Sequence, residues 1–189
     1  GRISCDIHGA DIFFINPWGV IFGADAVLDT TGSFYVSTAD YLRLGDHGLF
    51  NARHPSASLL TSDRPSAFGF TTDHPARVRI NGAFLEVASG ETLAVVAGNI
   101  SILDSVLYAP YGRILLASVA SSGEAVFEGR HLLLAAFDHL GTILMRDRHP
   151  KDGRETRLDV SGQGSGLVWI RSGRFVMERS EERRVGKEC

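Results

Sequence analysis

Between Ala76 and Phe127 apolar and polar residues alternate in short bursts. Arg77-Val78-Arg79-Ile80, Leu85-Glu86-Val87, Leu93-Ala94-Val95, Asn99-Ile100-Ser101-Ile102 and Arg113-Ile114-Leu115-Leu116 each fit a strand with one buried face. Turn chemistry separates them: Asn81-Gly82, Ser89-Gly90, Ala97-Gly98, Asp104-Ser105, Pro110-Tyr111-Gly112 and Ser122-Gly123. The leading apolar residues fall at Val78, Leu85, Leu93, Ile100, Leu107 and Ile114, in steps of 7, 8, 7, 7 and 7. A heptad step can mark a coiled coil. Glycine in nearly every gap, with many β-branched residues, excludes a long helix here.

Three such steps span 21 or 22 residues, so Val78 falls under Ile100, Leu85 under Leu107 and Leu93 under Ile114. That spacing predicts an all-β parallel β-helix, a solenoid in which three short strands and three turns make one coil. Successive coils lie about 4.8 Å apart and their inward Val, Leu and Ile side chains form ladders along the axis. About eight coils would give a rod roughly 40 Å long. An antiparallel sandwich also uses short strands, but no tight hairpin pairs stand out and the same cadence runs for five steps.

Parts of the chain break the cadence. Tyr41 to Pro75 holds Pro55, Pro65 and Pro75, and proline cannot donate to a strand ladder. This stretch is expected to be an extra-helical loop or hairpin excursion. Leu59-Leu60 and Phe68-Gly69-Phe70 within it are apolar enough to pack back onto the rod. Arg146 to Arg157 is a second polar interruption, after which Leu158-Asp159-Val160, Val168-Trp169-Ile170 and Phe175-Val176-Met177 resume the strand pattern. The domain is expected to cover residues 1–178. Residues 179–189 change character, with seven charged residues and only Val185 as a sizeable apolar one, and read as a non-native charged tail. The chain starts at Gly1 with no methionine and no visible signal peptide.

Composition narrows the function classes. At 189 residues, 44% hydrophobic and 22% charged, the chain has the make-up of one folded domain rather than a disordered one. No apolar run approaches the roughly 18 residues of a membrane span, so no membrane insertion is expected. A formal charge of −3 leaves no footprint for nucleic acid. Cys5 and Cys189 are the only cysteines, which argues against a disulfide scaffold or a zinc knuckle.

Candidate chemistry is sparse. Asp6 with His8, Asp46-His47, Asp73-His74, Asp138-His139, and Asp147 with His149 place carboxylates near imidazoles. Neighbouring strand residues point to opposite faces, so such pairs do not converge by themselves. Gly162-Gln163-Gly164-Ser165-Gly166 lacks the Lys of a phosphate loop, and Gln163 stands where a nucleophile elbow needs glycine. It reads as a coil turn. The 21- or 22-residue offset carries neither Asp104 nor Glu86 onto another carboxylate, and Glu124 and Glu128 complete no acidic ladder. The expectation is a protein that is not an enzyme, with no cofactor and no metal. A carbohydrate-active β-helix enzyme (a polysaccharide lyase or hydrolase) and a structural surface-layer β-helix are the alternatives.

The most specific segment is Asp11-Ile-Phe-Phe-Ile-Asn-Pro-Trp-Gly-Val-Ile-Phe-Gly23. It resembles the N-terminal secretion domain of filamentous-haemagglutinin-type exoproteins, the two-partner secretion family. That family's hallmark is Asn-Pro-Asn-Gly followed by an apolar triplet and glycine. Here the hallmark stands as Asn16-Pro17-Trp18-Gly19, followed by Val20-Ile21-Phe22-Gly23. Further matches follow in family order: Gly32-Ser33-Phe34 with Ser37-Thr38-Ala39, Pro65 to Phe70, Leu107 to Ile114, and Leu116 to Glu124.

The resemblance implies a right-handed β-helix with extra-helical hairpins. It also implies a secreted, adhesin-like exoprotein whose partner is an outer-membrane transporter with periplasmic domains that recognise the chain in a non-native state. Retention at the outer surface, and contact with host or surface glycans through downstream regions, are expectations of the same kind. Asn16, Pro17, Trp18 and Gly19 are the expected secretion turn. Trp18 departs from the family's second Asn and removes a small residue that tolerates left-handed φ. Its ring is expected to staple the turn onto the excursion. The coils that usually precede the motif are missing, so Gly1 is expected to lie inside the domain.

Overall fold

The computed structural model describes residues 1–148, 155–164 and 166–178, so the charged segment 179–189, His149 and Ser165 lie outside the described residues. Three parallel ladders account for most of it. The first stacks β2 (Ile12–Ile15), β5 (Phe34–Ser37), β11 (Thr92–Ala97), β14 (Arg113–Ser118) and β19 (Leu167–Arg171). The second stacks β3 (Val20–Phe22), β9 (Val78–Asn81), β12 (Ile100–Leu103), β17 (Thr142–Arg146) and β20 (Arg174–Glu178). The third holds β10 (Phe84–Glu86), β13 (Val106–Tyr108) and β18 (Arg157–Asp159), with β1 (Arg2–Ser4) paired to β4 (Val27–Asp29) beside it. The chain visits the three in rotation, which is the path of a parallel β-helix.

The register follows the cadence. Val78 pairs with Ile100, Leu85 with Leu107, and Leu93 with Ile114. All six side chains are buried in one interior cluster, joined there by Phe34, Leu116, Ile143 and Met145. Alternation sends Arg79, Ser101 and Leu144 outward on the second ladder while Val78, Ile100 and Ile143 point in.

Each full ladder has five strands rather than eight, about 20 Å from first to last. Among the described residues two segments leave the coil, and this corrects the longer rod; residues 149–154 of the expected interruption at Arg146 to Arg157 lie outside the described residues. The first was expected: β6 (Tyr41–Leu44), β7 (Gly48–Asn51) and β8 (Pro65–Phe70) form antiparallel pairs between β5 and β9. The second was not. β15 (Gly123–Glu128) and β16 (His131–Leu133) lie between β14 and β17, and β15 pairs antiparallel with β8. The alternation continues through Phe127, but the coil itself is interrupted after β14.

The five excursion strands form one sheet over the outer face of the first ladder. A second apolar cluster fills the gap, with Leu42, Phe68, Phe70, Ala125 and Leu132 from the excursions against Val96 and Ala117 from the ladder. This explains why all six residues of β11 are buried, where a strand with one wet face would alternate. The glycine of Phe68-Gly69-Phe70 has a steric reason. A Cβ at Gly69 would come within 1.9 Å of the Tyr41 ring, which lies across it from the paired strand.

Truncating Ile100 to alanine should destabilise the chain by about 2–5 kcal/mol, as a cavity in a close-packed interior does. Ser101→Ala, one residue along and facing outward, should change stability by no more than about 0.5 kcal/mol. Denaturant midpoints at constant slope check both.

Candidate functional site

Asn16 to Gly19 connects β2 to β3 and so turns the chain from the first ladder to the second. Asn suits the first position of a β-turn, and proline fixes φ for the second. The backbone closes as that chemistry dictates. Gly19 N–H donates to the Asn16 carbonyl at 3.1 Å, and Trp18 N–H donates to Asn16 Oδ1 at 3.1 Å. Asn16 N–H donates to the Ser37 carbonyl of the next coil at 3.0 Å, which ties the turn to the axial stack. Pro17 is buried.

Position 18 does not carry the left-handed backbone here. Positive φ falls at Gly19, at 110°, and Trp18 is not among the residues with positive φ. Replacing the family's second Asn by Trp therefore puts no strain on the turn. A Cβ at Gly19 would also sit 3.0 Å from the Arg77 carbonyl oxygen, so both the backbone conformation and this close approach favour glycine.

The expected staple is corrected. The Trp18 ring is 70% exposed, so it is not buried against the excursion. Its contact is polar: the Arg53 guanidinium lies over the ring, 5.9 Å from the centroid. The physical reason is what the excursion brings to this corner. The chain leaves the coil just after Ser37 and Thr38, directly beside the turn, and the hairpin returns Arg53 to the corner instead of its leucines. Leu59 and Leu60 remain exposed on the excursion.

Arg53 is itself fixed from below. Its guanidinium pairs with the buried carboxylate of Asp40 at the root of the excursion. Thr71 donates to Asp40 Oδ2 from both N–H, at 2.7 Å, and Oγ1, at 2.6 Å. Burial alone would raise the Asp40 pKa. The Thr71 and Arg53 hydrogen bonds and the Arg53 charge outweigh it and hold the carboxyl below its ordinary value. A chain of contacts thus runs from Asp40 through Arg53 to the exposed ring of Trp18. The sequence reading missed both Asp40 and Arg53. The one signal available was an acidic residue inside the largely apolar stretch from Phe34 to Leu44.

The excursions are locked to each other by a similar device. Tyr41 Oη donates to Glu124 Oε1 at 2.8 Å, and Arg43 pairs with Glu124 Oε2 at 2.9 Å. Burial and the Glu124 carboxylate push the Tyr41 pKa up to about 12. The other candidates do not assemble. Asp6, His8, Asp46, His47, Asp73, His74, Asp138 and His139 are all exposed. Asp104 is buried and paired with Arg148 at 3.1 Å, whereas Glu124 and Glu128 lie on the excursion sheet. Among the described residues no three His, Cys, Asp or Glu side chains are grouped to hold a metal ion.

Residues 1–146 match the family model described as TPS secretion domain. No curated protein and no solved structure matches the chain.

Because Asp40 is held ionised in the fold, it stabilises the fold above its unfolded pKa, and that contribution is lost as pH falls through its lowered folded value. Asp40→Asn should therefore cost about 1–3 kcal/mol at neutral pH. The gap to the parent should shrink in acid, where the parent carboxyl is protonated too. Denaturation of both proteins across the acid range checks this, and a gap independent of pH would contradict it.

Proposed function

The chain belongs to the TPS secretion domain family, and we propose that its Asn16–Gly19 turn is the element read by the dedicated outer-membrane transporter of a two-partner system. The family is a targeting family, and membership marks a secreted protein. On this reading residues 1–178 form the secretion domain of a large adhesin-like exoprotein, and the transporter's periplasmic domains are the recognising part.

One observation carries the assignment to this turn. Three hydrogen bonds fix its backbone to itself and to the next coil, while the ring of Trp18 stays largely in solvent. A turn needed only to reverse the chain has no use for an exposed tryptophan. The aromatic side chain carries a large contact area at small cost in rotamer entropy, which suits a recognition element. Arg53 over the ring adds a cation to the same surface.

No comparable arrangement supports catalysis: among the described residues the carboxylates are dispersed over separate elements, in ion pairs, in hydrogen bonds such as Ser33 to Glu91 and Thr156 to Asp147, or exposed singly.

Asn16→Ala removes the side-chain acceptor of the turn and should weaken folding by about 1 kcal/mol. In the full exoprotein, export should fall well beyond what that stability change explains. The exported fraction is measured beside the denaturation midpoint of the isolated chain. Export that falls only in step with stability would return the turn to a purely structural role.

A further inference from the structure

The three outer faces of the rod differ. The first is covered by the excursion sheet. The third carries Asp29, Glu86 and Asp159, and its arginines are spent on them: Arg2 pairs with Asp29, and Arg157 approaches Asp159 at 3.5 Å. Among the described residues the second carries no covering element, and it is of opposite character. Its outward positions in register are Ile21, Arg79 with Asn81, Ser101 with Leu103, Thr142 with Leu144 and Arg146, and Arg174 with Val176 and Glu178. Arg77 flanks the same face just before β9.

On the strands themselves three arginines, Arg79, Arg146 and Arg174, meet one carboxylate, Glu178, which is engaged by Arg146. Arg77 adds a fourth cation at one margin, and at the other Asp104 and Asp147 are buried, Asp104 paired with Arg148. Arg77, Arg79 and Arg174 are exposed and form no ion pair among the described residues. This cationic strip stands on a chain whose formal charge is −3. Between the arginines run apolar side chains: Ile21, 72% exposed, with Leu144 and Val176 half-buried.

We infer that the outer face of the second ladder binds a linear anionic polysaccharide lying along the rod. The inference goes beyond the secretion turn and does not depend on it. Charge complementarity requires a polyanion. The architecture selects the polymer. The three central strands of this sheet have their backbone edges paired on both sides, so a peptide cannot join as an added strand over the face. The face is the outer side of one continuous five-stranded sheet rather than a cleft between elements. Its side chains repeat about every 4.8 Å along the axis, close to the advance of one sugar unit in an extended chain. Carboxylate groups of such a chain meet Arg79 and Arg174, while the C–H faces of its rings rest on Leu144 and Val176.

The test uses the purified chain with alginate, a linear polyuronate, as probe. Poly-L-glutamate serves as the polypeptide of like charge, and dextran as the neutral polysaccharide. Alginate should bind, and added salt should weaken it by screening. Arg79→Glu with Arg174→Glu should lower the affinity roughly tenfold or more, while Arg130→Glu, on the remote β15–β16 turn, should leave it unchanged. Arg79→Gln with Arg174→Gln, which introduces no repulsion, should also weaken binding and replaces the double reversal if that variant does not fold. Poly-L-glutamate should bind much more weakly, and dextran not at all. Absence of alginate binding at low salt would overturn the inference, as would full binding by either folded double variant. Equal affinity for poly-L-glutamate would assign the face to an acidic polypeptide and would overturn it too.

Discussion

Each coil of this protein passes its backbone hydrogen bonds to the next one along a common axis, and the rest of the structure depends on that pairing. Parallel strands cannot be joined by tight hairpins. Here the connection is a full circuit through the other two ladders. The circuit must return each inward side chain to the same column, because a slip of one residue would turn every apolar residue outward. Val78 under Ile100 under Ile143 is that requirement met across two coils. The interior column can then be mostly Val, Ile and Leu, with Ala83, Ala97 and Ala109 and with Phe22, Phe34 and Met145 as the larger members.

The excursions are compatible with that constraint because they leave and re-enter at the coil corner. Between Phe34 and Leu93, paired on adjacent strands, the chain runs 59 residues, yet the register is undisturbed. What the excursions add is a second apolar layer on one outer face, secured by Tyr41, Arg43 and Glu124 between the two hairpins and by Asp40 with Thr71 and Arg53 at the root. Among the described residues the rod is thus thick on one side and uncovered on another. The turn at Asn16 sits at the boundary between them, so it is held by the covered side and displayed on the open one.

Much of the fold is legible in the sequence because the inward position of each short strand must be apolar and each corner must turn. Both demands leave marks seven or eight residues apart. The second excursion is not legible for the same reason. Gly123-Glu-Ala-Val-Phe-Glu128 alternates with period 2, and alternation reports a half-buried strand without saying which sheet it joins. Pro55, Pro65 and Pro75 announced the first excursion; no proline announces the second. At the site, Asn16, Pro17 and Gly19 are readable as a turn because their local chemistry makes one. The exposure of Trp18 is not readable, since it depends on which residue a hairpin returns to that corner. Asp40 and Arg53 are 13 residues apart with a hairpin between them, and only the folded excursion brings them together.

The chain leaves the coil after β14 and returns at β17 without losing register, and a cross-link across that gap tests this directly. Ser101 and Leu144 are outward register partners on β12 and β17. Neighbouring strands lie about 4.8 Å apart, within the roughly 4.4–6.8 Å between Cα atoms that a disulfide spans. With Cys5 and Cys189 replaced by serine, Ser101→Cys with Leu144→Cys should oxidise readily to an intramolecular disulfide. Ser101→Cys with Arg146→Cys, displaced by two residues, should do so poorly. Cross-linking that is equal for the two pairs, or that favours the displaced one, would contradict the register and with it the solenoid described above.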